Sequence, residues 1–101
     1  MRQFDVFAHP DEETADAYPY LMVLQSDFIA QTASVIAAPL IEAAQRDTRL
    51  YPAFRIKGER YTLMISDLAA VPRTMLRTPV DNLAPERSRI IAALDLLFTG
   101  I

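Results

Sequence analysis

His9 is the chain's one histidine, and histidine is the side chain whose ordinary pKa lies nearest neutrality. It is therefore the first candidate for proton transfer. It precedes Pro10 at the mouth of an acidic segment with no nucleophile beside it in sequence, which is the setting of a surface loop. The absence of Cys excludes disulfides, thiolate metal sites and thiol nucleophiles, and a single His excludes multi-His metal sites within one chain. Asp11, Glu12, Glu13 and Asp16 supply the oxygen ligands that a hard cation needs. They lack the Asp-x-Asp-x-x-Gly spacing that wraps calcium, and read as solvated loop acids. Ser26-Asp27 and Ser66-Asp67 resemble one another, but a Ser-Asp step is commonly a turn. With one His in the chain, neither serine has the partners of a triad. Two glycines in the whole sequence leave no glycine-rich phosphate loop. These residues call for no catalysis, no metal and no cofactor.

The remaining chemistry is cationic. Nine of the ten basic residues are Arg, whose planar fork suits carboxylate as well as phosphate. Residues 46–60 hold Arg46, Arg49, Arg55, Lys57 and Arg60 against Asp47 and Glu59, whereas residues 1–16 hold five acids against Arg2. The basic stretch is either a solvated face or a docking patch for an acidic partner. Arg73 and Arg77, between Pro72 and Pro79, read as exposed strand-edge cations. A net charge of −3 is a poor match to life on a phosphate backbone.

The elements that must position these residues are short. A chain of 101 residues, 51% hydrophobic and 23% charged, suits one folded domain over residues 1–101. No apolar run approaches the length of a membrane helix and no signal-peptide pattern opens the chain, so a soluble, cytoplasmic protein is expected. Phe4, Val6 and Ala8 alternate with polar residues, as in a strand with one buried face. Residues His9 to Pro19 read as a loop, and Tyr20 to Gln25 as a strand covered on both faces. Val35 to Leu40 is another apolar run, which Pro39 places at an edge or near its end. Two alternating runs, Phe54 to Lys57 and Arg60 to Ile65, flank Gly58 and predict a hairpin. Residues Leu68 to Val80 carry two prolines, so any strands there are short.

The last element differs in kind. Pro85 suits a first helical turn, Ile90, Ile91, Leu94, Leu97 and Phe98 form one apolar stripe at helical spacing, and Gly100 is placed as a terminator. The fold class is therefore mostly β with one C-terminal α-helix, a small SH3-like barrel or curled antiparallel sheet. Most termini are polar and frayed, yet this sequence runs out in Phe98-Thr99-Gly100-Ile101. Those residues either tuck into the core or present an apolar tip to a partner.

In this setting several segments resemble the CcdB family, the gyrase-poisoning toxins of type II toxin–antitoxin systems. They are Gln25-Ser26-Asp27-Phe28-Ile29, Pro39-Leu40, Leu50-Tyr51-Pro52, Met64 through Pro72, and the closing helix ending in Gly100-Ile101. The resemblance runs nearly end to end. It implies a non-enzymatic homodimer that binds the A subunit of DNA gyrase and traps the enzyme on cleaved DNA. It also implies neutralisation by a CcdA-like antitoxin, with operator DNA reached only through that antitoxin. By position, the implied gyrase contacts are Phe28, Ile29, Asp95, Phe98, Thr99, Gly100 and Ile101. Arg46, Arg49, Arg55 and Arg60 are the candidate anchors for an acidic antitoxin tail. Better-known members carry Trp where Thr99 stands and Asn where Asp95 stands, and that Trp stacks on an Arg of gyrase. The alternatives are a MazF-type endoribonuclease toxin on a similar barrel, and a non-toxic or retargeted homologue that serves only as the antitoxin's co-repressor.

Overall fold

Why the chain curls is visible in its strands, most of which are too apolar for a sheet wetted on one side. A computed structural model describes residues 1–29, 32–42 and 46–100. In β1 (Asp5–Ala8) and β2 (Tyr20–Val23), successive side chains point to opposite faces, and nearly all are buried. Phe4, Val6, Met22 and Leu24 enter the larger core, while Phe7, Leu21 and Val23 enter a smaller one behind the sheet. The period-two pattern at Phe4, Val6 and Ala8 predicts one buried face. The strand is instead covered on both faces as far as Phe7, and Ala8 is exposed. The buried Asp5 carboxylate accepts hydrogen bonds from the Arg2 backbone N–H at 2.8 Å and the Asn82 side-chain amide at 2.9 Å.

The acidic segment between β1 and β2 is a loop holding one helical turn, α1 (Glu12–Ala15), with Asp11 as its N-cap. After β2 comes β3 (Ser34–Ile41), then β4 (Ala53–Ile56), β5 (Glu59–Leu63), β6 (Ala69–Pro72) and β7 (Asp81–Asn82). The strands pair antiparallel in the order β4-β5-β3-β2-β1-β7, with β6 also on β3, in a nearly closed barrel-like sheet. Pro39 does not mark an edge strand. β3 is paired on both sides, by β2 along one edge and by β6 and then β5 along the other. Pro39 faces β2 across the pair with Leu21, while its carbonyl accepts from the Met64 N–H at 2.9 Å on the other side. Hydrogen bonds alternate sides along an antiparallel strand, so the missing N–H falls toward the junction of β6 and β5 and takes no bond from the β2 ladder.

The predicted hairpin is present. Lys57 and Gly58 form its two-residue turn with φ of 52° and 84°, the left-handed pair that a tight hairpin turn demands. The predicted helix is α2 (Arg87–Thr99), entered through a single 3₁₀ turn containing Pro85. Ile90 and Ala93 are fully buried against the main core, with Ile91, Leu94 and Leu97 packed partly against it. Gly100 ends the helix at φ 76°, its N–H donating to the carbonyls of Asp95 and Leu96.

Candidate macromolecule-binding surfaces

Phe98 leaves the stripe that its spacing assigns it to. It is 68% exposed, although Leu97 just before it still packs partly against the main core. Thr99 turns back on the helix, its hydroxyl donating to the Asp95 carbonyl at 2.7 Å. Asp95 and Gly100 are exposed beside it, and Ile101 lies outside the described residues.

Facing this tip is the loop that follows β2. Its polar side chains hold the backbone inward. The Gln25 amide donates to the Ile29 carbonyl at 2.6 Å and to the Thr32 hydroxyl at 2.8 Å, and its oxygen accepts from the Ile36 N–H. Asp27 accepts from the Gln3 N–H at 2.7 Å, and the Ser26 hydroxyl accepts from the Phe28 N–H. The consequence is an apolar surface displayed on a braced frame. Phe28 is fully exposed and Ile29 is 54% exposed. Ile29 and Phe98 meet across an open apolar groove of about 430 Å³ floored by Leu24, Ile36, Leu68 and Leu94. Phe28, Asp95, Thr99 and Gly100 stand outside that groove. Sequence reading missed Gln25 as the brace, and Ile36, Leu68 and Leu94 as the lining. Only the loop–helix approach selects them from other apolar residues.

The basic stretch divides. Arg55 and Arg60 are directly opposite one another across the hairpin, an arrangement of like charges that is unfavourable unless something neutralises it. Asp47 does so. One carboxylate oxygen accepts from the Arg60 guanidinium at 3.2 Å, and the other accepts from Arg89 at 2.7 Å and from the Ala53 N–H at 3.0 Å. These bonds hold the Asp47 carboxyl below the usual carboxylate range, the Ala53 N–H being the largest cause and the two arginines adding to it. Arg89 also pairs with Glu86 and lies over the Phe54 ring at 4.9 Å. It belongs to the cluster, and the sequence stretch 46–60 does not contain it. Arg46 stands elsewhere, over the Tyr51 ring at 5.0 Å, and Arg49 is exposed.

The other candidates hold the chain together. His9 Nδ1 accepts from the Asp11 N–H at 3.1 Å, inside the turn that Asp11 caps. Hydrogen bonds from the Thr14 hydroxyl and the Glu13 N–H lower the Asp11 pKa. The Ser66 hydroxyl is bonded to the Tyr51 hydroxyl at 2.8 Å. Arg73 is not a free strand-edge cation: it is half-buried, and its Nε–H donates to the Thr32 carbonyl at 2.8 Å. No group of three or more acidic or imidazole side chains is gathered for a metal among the described residues. No helix among them is long and apolar enough to cross a membrane.

A barrel-like sheet closed by one helix, with an apolar tip and a guanidinium cluster as its exposed chemistry, has the equipment of a protein that holds other macromolecules. The family model described as CcdB protein matches residues 3–100. The chain therefore belongs to the CcdB family, the toxins of toxin–antitoxin systems.

Proposed function

We propose that this toxin acts by binding the A subunit of DNA gyrase and trapping the enzyme on cleaved DNA, without catalysis of its own. A CcdA-like antitoxin neutralises it. The observation that carries the reading is the apolar groove between Ile29 and Phe98, whose rims are exposed on a braced loop and a capped helix end. An exposed apolar cluster of this kind marks an interaction site. A two-fold dimer would present the tip twice to a two-fold target, which supports a homodimer as the active form. Thr99 stands where better-known relatives place a Trp, so the contact rests on Phe98, Phe28 and Ile29 rather than on a ring at position 99.

The test is direct. Protein, gyrase, ATP and supercoiled plasmid are incubated and quenched with denaturant, and linear DNA is expected to accumulate. Total RNA incubated with the same protein is expected to stay intact, whereas cleaved RNA would move the assignment to the ribonuclease toxins. No linear DNA at any toxin concentration overturns the gyrase reading. The antitoxin half has its own check: charge steering between an acidic tail and the Arg cluster makes association slow as salt is raised.

A further inference from the structure

Strand β4 is one of the two end strands in the sheet order, with β5 on one side and no strand on the other among the described residues. Its hydrogen-bond register follows from the hairpin turn. In a two-residue hairpin the residues flanking the turn, Ile56 and Glu59, exchange hydrogen bonds, and bonded and non-bonded pairs then alternate along the ladder. The bond from the Leu63 N–H to the Pro52 carbonyl at 2.9 Å falls on the same alternation. The pairs of Arg55 with Arg60 and of Ala53 with Thr62 are therefore the non-bonded ones, and the N–H and C=O groups of Ala53 and Arg55 point to the open edge. The Ala53 N–H is taken by the Asp47 carboxylate, which occupies the place of a neighbouring strand's carbonyl.

A groove of about 390 Å³ runs beside this edge. Ala53, Phe54 and Arg55 form one wall and Leu83, Glu86 and Arg89 the other, with Asp47 and Arg60 also lining it. Both acids in it are already paired to arginine. The Arg55 guanidinium has no acid paired to it among the described residues: it donates to the neutral Gly58 carbonyl at 3.3 Å. The groove thus combines a strand edge, which binds extended peptide through its backbone, with guanidinium groups that bind carboxylates. Asp47 shows the ligand chemistry from within the chain, since one carboxylate accepts from an edge N–H and from two arginines at once.

We propose that the β4 edge is a docking site for an extended acidic segment of a partner polypeptide, which adds as a strand beside Arg55 and places its carboxylates on Arg55, Arg60 and Arg89. The proposal deepens the antitoxin reading and rests on it for the natural partner, a CcdA-like tail. It narrows the anchoring arginines to Arg55 and Arg60 of the basic stretch, and adds Arg89.

The probe is an acetylated eight-residue peptide alternating Glu and Val, titrated into the isotope-labelled full chain. Binding is expected to slow hydrogen exchange of the Arg55 amide at least tenfold. A peptide of the same charge, N-methylated at the alternate residues that would face the edge, is expected to bind at least tenfold more weakly. Arg55→Glu is expected to weaken the unmodified peptide by a similar factor, and Arg55→Ser serves if the charge reversal disturbs the hairpin. Equal binding of the methylated peptide, or an Arg55 amide that exchanges as fast with peptide as without, overturns strand addition. Failure to bind at millimolar peptide overturns the site. Gyrase poisoning by Arg55→Glu is expected to match the unmodified protein. An intact poisoning activity with no peptide binding therefore sinks this site alone, and peptide binding without poisoning sinks only the gyrase target.

Discussion

Truncating Phe98 to Ala separates a displayed side chain from a core one by magnitude. A phenylalanine can bury on the order of 200 Å². The ring is 68% exposed here, so only about a third of that area is already removed from water. At about 25 cal/mol per Å², the substitution costs the fold at most about 1.5 kcal/mol. The exposed remainder is worth up to about 3 kcal/mol to a partner that covers it, or roughly a hundredfold in affinity. Ile90, one face of the same helix and fully buried, supplies the contrast: Ile90→Ala is expected to cost about 2–5 kcal/mol of stability. The assay pairs urea unfolding with immobilised gyrase A subunit, and light scattering reads the oligomeric state of each variant. Phe98→Ala should stay near the unmodified protein in urea, remain at twice the monomer mass, and lose most of its gyrase affinity. A loss of 3 kcal/mol or more in urea would place Phe98 in the core. Unchanged affinity would remove it from the gyrase contact, and a monomer would assign its surface to the two-fold interface.

Three further outcomes follow from single contacts. Burial, with the neighbouring Tyr20 and Glu59 adding to it, pushes the Tyr61 hydroxyl up to about 12, against an ordinary value near 10. The folded state then holds this proton more tightly than the unfolded one. Tyr61's contribution is fully present below about pH 10 and is lost as pH rises toward about 12; the gap between urea midpoints at about pH 9 and about pH 11.5 should therefore be smaller in Tyr61→Phe than in the parent, and an equal gap would refute the shift. Lys57 holds a left-handed φ of 52° at the hairpin turn, so Lys57→Asn is expected to raise stability by about 0.5–1 kcal/mol in thermal unfolding. Thr99→Trp places a flat ring on the exposed last turn and should strengthen gyrase poisoning through stacking on an Arg, by about 0.5–2 kcal/mol. No change in linear DNA yield would mean that position 99 faces away from the target.

Features decided by local chemistry were legible along the chain. Gly58 between two alternating runs announced the hairpin, and the structure adds Lys57 as the second left-handed residue that the tight turn needs. A 3.6-residue stripe between Pro85 and Gly100 announced the helix, because φ limits at proline and glycine act within one turn whatever the surroundings. The family resemblance was legible for the same reason: it lies in segments of a few residues each. Other features needed the whole sheet. Alternation at Phe4, Val6 and Ala8 says which side chains share a face, but not that a second core covers the opposite face. Pro39 looks like an edge marker until β6 and β5 meet at its missing N–H.

For the binding surfaces the division is sharper. Phe98 has the spacing of a core residue, and sequence left it between the core and a partner-facing tip. Only the packing around the helix end decides, covering part of Leu97 and leaving Phe98 exposed, because burial depends on what lies opposite rather than on the residue's own period. Asp47 and Arg89 are 42 residues apart in sequence and 2.7 Å apart in space. Composition located five cations in residues 46–60. The tertiary fold sorted them, sending Arg46 to a tyrosine ring, drawing Arg60 and the distant Arg89 around one carboxylate at an open strand edge, and leaving Arg55 on the Gly58 carbonyl beside it. Charge is a property of each residue, whereas a site requires the chain to bring several of them within hydrogen-bond reach.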